Sequence, residues 1–360
     1  MIWSVSPGKL YIAGEYAVVE KGYPAVIVGL DGFIKVSLEE TEGKGSIEAY
    51  DNNPIRFSRI DEKLVLDYRD NRLYYVINGI KIVEELAKEM GKSLKFYDLK
   101  VESELEDEKG RKYGLGSSAA VTVSTIKVLA KLYGIELTKR EVFKLSALVH
   151  LEVDSNGSCG DIAASVYGGW IAFKTFDRKW VIEESKESSI KDIIGKNWPF
   201  LEINRLDPPE DLKLLIGWTG RPASTTKLVD DVKTKRNKTE KEVYYREFLR
   251  KSKICVESII EGFQEGDTFK IQKGIIQNRN LLVAMGKNLG IEIETPILSR
   301  LCDIANKHGG YAKSSGAGGG DCGIALFKGD LDLSKLRFDW KMEGIKHLPL
   351  EVYKEGKDVK

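Results

Sequence analysis

Long apolar runs are missing from this chain. None approaches the ~18 residues of a membrane span, and the N-terminus lacks the basic and apolar regions of a signal peptide. Cysteine is scarce. Cys159, Cys255, Cys302 and Cys322 are the only four, and no two form a CxxC pair. Neither a zinc site nor a disulfide framework is indicated. The three histidines, His150, His308 and His347, lie far apart, as surface or structural residues do. Net charge is almost absent, since 56 Lys and Arg face 55 Asp and Glu, leaving +1. That balance gives no support for a nucleic-acid surface, although local patches remain open. These absences together point to a reduced, cytoplasmic protein with no membrane and no nucleic-acid partner. Internal repeats and low-complexity tracts are absent too.

What is there is an ordinary globular composition, 42% hydrophobic and 31% charged over 360 residues. It is enough for a sizeable core and, as a prior, two domains. Leu10–Ala13 and Pro24–Val28 read as short strands broken by glycine, and Ile34–Glu39 alternates like a half-buried strand. Helical spacing runs from Leu73 to Lys88, and alternation returns from Phe96 to Glu104. Val121, Val123, Ile126, Val128, Leu129 and Leu132 recur at helical spacing before a Gly134 stop. Thr138 and Glu141 form a capping box for a second helix. A third is expected after Ser158 or Gly160. Residues 176–211 are polar and irregular, with Pro199, Pro208 and Pro209, and read as a domain boundary. Leu212–Trp218 reads as a strand, long helical patterns fill roughly 222–306, and Tyr311–Ser315 and Asp321–Phe327 read as strands. That order suggests an α+β sandwich in the second half.

Four stretches carry candidate chemistry. The first, Gly114-Leu115-Gly116-Ser117-Ser118-Ala119, is a glycine-rich turn feeding a helix. Its free N–H groups and the helix dipole favour an anion. Its hydroxyls suit phosphate oxygens or a magnesium ion, although a plain turn with a serine cap has the same pattern. The second, Pro7–Tyr16, puts Lys9 between glycine and apolar residues at a strand edge. Such a lysine either blunts aggregation or serves a site. In the third, small residues from Ser155 to Gly160 lead into a helix with Asp161 in its first turn, where an acid also suits the dipole. The fourth, Lys313–Gly323, is a glycine loop between two strand signals. Two nucleotide signatures fail. GxxxxGK[ST] is absent. Gly318-x-Gly320-x-x-Gly323 precedes a strand where a dinucleotide fold needs a helix, and Gly114-x-Gly116-x-x-Ala119 follows the charged loop 104–109.

The order PGKLYIAGEY, GLGSSAA, KSSGAGGGD resembles the GHMP kinase superfamily, named for galacto-, homoserine, mevalonate and phosphomevalonate kinases. The resemblance spans nearly the whole chain. Within the superfamily, Gly217–Thr226 resembles the GWTGxPAST segment of the branch that acts on 5-phosphomevalonate, and Ser155–Asp161 resembles its NGSxGD. The resemblance implies an α+β fold of two domains. Residues 1–190 would be like ribosomal protein S5 domain 2, and 191–360 ferredoxin-like. ATP and 5-phosphomevalonate would meet in the cleft between them, in a monomer or homodimer.

It also implies roles. Gly114, Leu115, Gly116, Ser117, Ser118 and Ala119 would hold ATP, with Lys9 and Asp161 catalytic. Lys9 would neutralise the transferring group, and Asp161 would orient Lys9 or the acceptor. Ser315, Gly316, Ala317 and Gly318 would close on the substrate, with Ser158 a further contact. Arg221, Ser224 and Thr225 sit where Pro222 can open a helix and grip the substrate phosphate. One departure stands out. The magnesium-binding glutamate of mevalonate kinases has no clear match in Glu152, which leaves Ser117 or Ser118 as ligands for Mg2+. An alcohol acceptor, as in mevalonate kinase, is the alternative to a phosphate acceptor.

Overall fold

The computed structural model describes residues 1–49, 53–68, 71–153, 156–221, 228, 230, 232, 234 and 239–354. The first half opens with β1 (Ile2–Ala13), β2 (Pro24–Thr41), β3 (Gly45–Ala49), β4 (Ile55–Ile60) and β5 (Lys63–Leu66). Then come α1 (Tyr74–Glu89), β6 (Phe96–Ser103), α2 (Ser117–Tyr133), α3 (Lys139–Val153), α4 (Gly160–Tyr167) and β7 (Trp170–Lys174). After α5 (Arg178–Glu184), α6 (Ile190–Gly195) and β8 (Glu202–Leu206), the second half begins at β9 (Leu212–Trp218). It continues through α7 (Thr239–Glu265), α8 (Thr268–Leu289), α9 (Pro296–Lys307), β10 (Tyr311–Ser314), β11 (Cys322–Lys328), α10 (Ser334–Met342) and β12 (Lys346–Leu348).

β2 organises the first half. It lies in an eight-stranded sheet ordered β5-β4-β3-β6-β2-β7-β8, with β1 added to β2. Pro24–Val28 of β2 pair with β7, and Ile34–Thr41 pair with β6. The gap between them is filled from the far end of the chain. Leu30 bridges Val352, the Tyr353 N–H donates to Gly29 O at 2.9 Å, and the Asp31 N–H donates to Glu351 O at 2.9 Å. β1 and β2 run through their glycines as single long strands, with register shifts at Pro7/Gly8 and Tyr11/Ala13. Glycine here bends the strands without ending them.

Against this sheet packs α2, whose Ala119, Val123, Ile126, Val128 and Leu129 are fully buried. Each large aliphatic side chain so buried contributes about 1.5–3 kcal/mol. α2 ends at Gly134, which is left-handed at φ 61° and donates to Ala130 O and Lys131 O. α3 starts on the expected capping box, since Thr138 N–H donates to Glu141 Oε2 at 2.7 Å and Glu141 N–H to Thr138 Oγ1 at 3.3 Å. The second half is a four-stranded antiparallel sheet, β10-β11-β9-β12, carrying helices.

Residues 176–211 are more ordered than their polarity suggests. Asp177 and Ser189 each cap a short helix, accepting from Trp180 N–H and Asp192 N–H. Val181, Ile193 and Ile194 anchor these helices in the core. β8 pairs with β7 through its backbone and the Lys174–Glu202 ion pair at 2.9 Å, while most of its side chains face outward, so it shows no apolar alternation. The eight-stranded sheet thus extends to Leu206, beyond residue 190.

Three elements of the first half converge on Glu84 of α1. Arg59 of β4 grips it with both guanidinium nitrogens, at 2.8 and 2.5 Å, and Tyr97 and Tyr133 donate to Oε1 at 2.9 and 3.1 Å. Glu84→Ala strands a buried guanidinium and two phenols. It should lower the unfolding free energy by about 3–5 kcal/mol in denaturant titration. A loss under about 1 kcal/mol would show that the network is not a stabilising unit.

Candidate active site

The turn before α2 takes two left-handed residues, Gly114 at φ 80° and Gly116 at φ 78°. Gly116 caps α2 with no side-chain hydrogen bond, so the first N–H groups of the helix, on Ser117, Ser118 and Ala119, point out of its end. The glycines also make room. A Cβ on Gly116 would lie 2.8 Å from Lys9 Cε, and one on Gly114 would lie 2.4 Å from Asp321 Cγ. Lys9 is stitched to this turn. Its backbone N–H donates to Leu115 O at 2.8 Å and its Nζ to Gly114 O at 3.3 Å. Burial pushes the Lys9 ammonium below its usual range, while Asp161, Asp321 and the Cys322 thiol pull it back up.

α4 enters the site in the same way. Its cap is Cys159, left-handed at φ 61°, and Asp161 sits in its first turn. Ser158 is held between β1 and the residue that follows β7, with its Oγ 2.9 Å from Tyr11 OH and its carbonyl accepting from Thr175 Oγ1 at 2.8 Å. Gly160 is required by space, because a Cβ there would meet Tyr11 OH at 2.4 Å. Burial, with Asp161 nearby, keeps the Tyr11 phenol protonated far above its usual range.

The loop between β10 and β11 is structured. Ser315 Oγ donates to Tyr11 O at 2.8 Å, Tyr16 OH donates to Ala317 O at 2.5 Å, and Gly319 N–H donates to Ile293 O at 2.8 Å. At its root lies an ion pair that the sequence reading missed. Lys313 of β10, 0% exposed, donates to Glu15, 3% exposed, and to Ser314 O at 2.5 Å. Glu15 Oε2 is buried with no hydrogen-bond partner. A lysine inside an apolar strand signal was the available clue, and the carboxylate that answers it is 298 residues away.

Lys9, Gly114, Gly116, Ser117, Ser118, Ser158, Asp161, Ser315, Gly316, Ala317 and Gly318 all line one cavity of about 380 Å³. Glu15, Tyr11, Lys112, Asp321, and Tyr75 with His150 line it as well. Leu115 and Ala119 bury their side chains in the core, so only their backbone is available to a ligand. Arg221 is exposed and lies off the cavity lining. Ser224 and Thr225, with Pro222, lie outside the described residues. A larger groove of about 520 Å³, between β7–β8 and α7, contains none of the motif residues. Among the described residues no three His, Cys, Asp or Glu side chains gather to hold a metal, and Glu152 is exposed near the end of α3.

Comparison with known proteins identifies the family. Residues 75–169 match the GHMP kinases N terminal domain and 259–344 the GHMP kinases C terminal model. The phosphomevalonate kinase of Streptomyces sp. (strain CL190) is 37% identical, over 98% of this chain and 97% of that one. The crystal structure of a Lin0012 protein from Listeria innocua superposes with a TM-score of 0.91 at 38% identity, covering 98% of each chain. Streptococcus pneumoniae phosphomevalonate kinase, in complex with phosphomevalonate and AMPPNP, superposes with a TM-score of 0.85 at 29% identity, over 98% of this chain and 100% of that one. The chain is a two-domain α+β enzyme of the GHMP kinase superfamily. Within it, the chain belongs to the phosphomevalonate kinase family.

Gly116→Ala tests the packing of this site. The new methyl group meets Lys9 and an unfavourable φ together. Turnover should fall at least about tenfold, as expected when a catalytic group is displaced by a fraction of an ångström. Steady-state kinetics beside a thermal melt check it, and full activity in a folded variant would show that Lys9 has room to spare.

Proposed function

We propose that this enzyme transfers the terminal phosphoryl group of ATP to the phosphate of 5-phosphomevalonate, giving 5-diphosphomevalonate and ADP. The observation that carries the reading is Lys9, held between the N-terminus of α2 and Asp161 of α4 in one cavity. Phosphoryl transfer needs positioning and charge stabilisation more than covalent chemistry. The N–H groups from Ser117 to Ala119 bind ATP phosphates, and Lys9 neutralises charge that grows on the transferring group. Ser158 and the Ser315–Gly318 loop face the acceptor across the cavity. Arg221, Ser224 and Thr225 complete its phosphate grip in this reading.

A magnesium ion fits this donor set. Mg2+ keeps several waters and shares substrate phosphates, so it needs few protein ligands. The Ser117 and Ser118 hydroxyls are those we assign to it, and its chemistry there is to neutralise phosphate charge. The acceptor oxygen simplifies the task of Asp161. A phosphate monoester has its second pKa near ~6 and is mostly ionised at pH 7. Asp161 therefore orients Lys9 or the acceptor and is not required as a base. We place the enzyme in the cytoplasm. No helix among the described residues is long and apolar enough to cross a membrane.

An ADP-release assay with alternative acceptors tests the assignment. 5-Phosphomevalonate should give the highest kcat/KM, and a higher value for mevalonate overturns the reading. Lys9→Ala should cost ~3–4 kcal/mol in barrier, roughly 10²–10³ in turnover. Near-normal turnover in folded protein removes Lys9 from the mechanism.

The pH dependence makes a separate prediction. kcat/KM for the acceptor should rise with pH along an acidic limb near ~6, set by the acceptor's own ionisation. That limb should survive in Asp161→Asn at a lower plateau. Its disappearance would make Asp161 a general base.

A further inference from the structure

We propose that Asp321 is a positioning residue for Lys9, a second carboxylate whose charge acts on the ammonium across Gly114 from the C-terminal half of the chain. The proposal rests on the role given to Lys9 above and goes beyond it. Asp321 follows the glycine loop and is held at φ 52°, a conformation that few side chains adopt. Its backbone is clamped to the end of β9. The Asp321 N–H donates to Arg221 O at 2.7 Å, and its carbonyl accepts from Thr219 N–H at 2.9 Å and Thr219 Oγ1 at 3.0 Å. A strained residue fixed at three points is well placed to aim a side chain.

The side chain is aimed at the phosphate turn. It lies so close to Gly114 that a Cβ there would be 2.6 Å from Oδ2. Lys9 Nζ holds the carbonyl of the same glycine at 3.3 Å. Gly114 is thus pinched between the carboxylate of one half and the ammonium of the other. The groups facing Lys9 are Asp161 from α4, Asp321 from the loop, and the Cys322 thiol of β11. The thiol donates to Tyr113 O at 3.2 Å, and burial keeps it protonated. The Tyr11 ring lies beneath Lys9, with Nζ 5.9 Å from its centroid.

A carboxylate beside an anion-binding turn repels the phosphates meant to bind there. Across Gly114 its charge also acts on Lys9, favouring the ammonium. A desolvated ammonium needs compensation. Asp161 supplies it from the N-terminal half, and Asp321 from the half that carries Thr219 and Arg221. The lysine is then held in reacting position only when both halves are in register across the cleft.

The experiment is a double-mutant cycle. Asp321→Asn and Asp321→Gly both tolerate φ 52°, so the backbone should survive, and thermal melts check this. Each should lower kcat about tenfold or more while the KM for ATP stays level or falls, because a repelling charge has gone. In a Lys9→Ala background the same substitutions should change kcat less than about threefold, since a group acting through Lys9 has nothing left to hold. Equal factors in both backgrounds, or a rise in the KM for ATP at unchanged kcat, overturn the proposal. Unaffected turnover in both Asp321 variants beside a crippled Lys9→Ala overturns it alone. A harmless Lys9→Ala removes it together with the function above.

Discussion

The buried ion pair between Glu15 and Lys313 ties the two halves of the molecule together beside the cavity. Glu15 follows β1 and Lys313 lies in β10, so the pair joins the two halves at the point where both begin to line the cavity. Both side chains are out of water, and such a pair costs about as much in desolvation as it returns in attraction. Its worth is therefore in register more than in stability. Neighbours on each side repeat the link, since Tyr16 bonds Ala317 O and Ser315 bonds the backbone of Tyr11. A shift of one half against the other would break this buried charge pair together with those two hydrogen bonds.

Two helices present their N-termini to the resulting space, and both are entered through a left-handed residue, Gly116 and Cys159. Their positive ends add to Lys9. A protein with almost no net charge can thus concentrate positive potential in one cavity. The carboxylates of Asp161 and Asp321 temper that potential beside Lys9.

Legibility in the sequence followed distance along the chain. The α2 turn, its Gly134 stop and the Thr138 box are decided within a few residues, and the pattern reveals them. β8 was hidden because most of its side chains are exposed and only Leu206 is buried, so no apolar alternation marks it. Lys9 and Asp161 were visible as types, set at a strand edge and in a first helical turn. Their company was not visible. Asp321 and Glu15 meet their partners only through the packing of two halves, and no local pattern encodes such a meeting. The resemblance to the GHMP kinases supplied what periodicity lacks, the knowledge that three distant motifs share one cavity.

The closing segment at 351–353 bears on how this protein is made. Gly29, the register partner of Lys9, offers its carbonyl to Tyr353. A ribosome releases β2 early and residue 353 some 320 residues later. Throughout that interval the nascent chain holds its central strand unfinished, directly beside the one that bears Lys9. Completion of that strand is thereby tied to the synthesis of residue 353, and a chain halted short of Tyr353 leaves the ribosome with β2 still open.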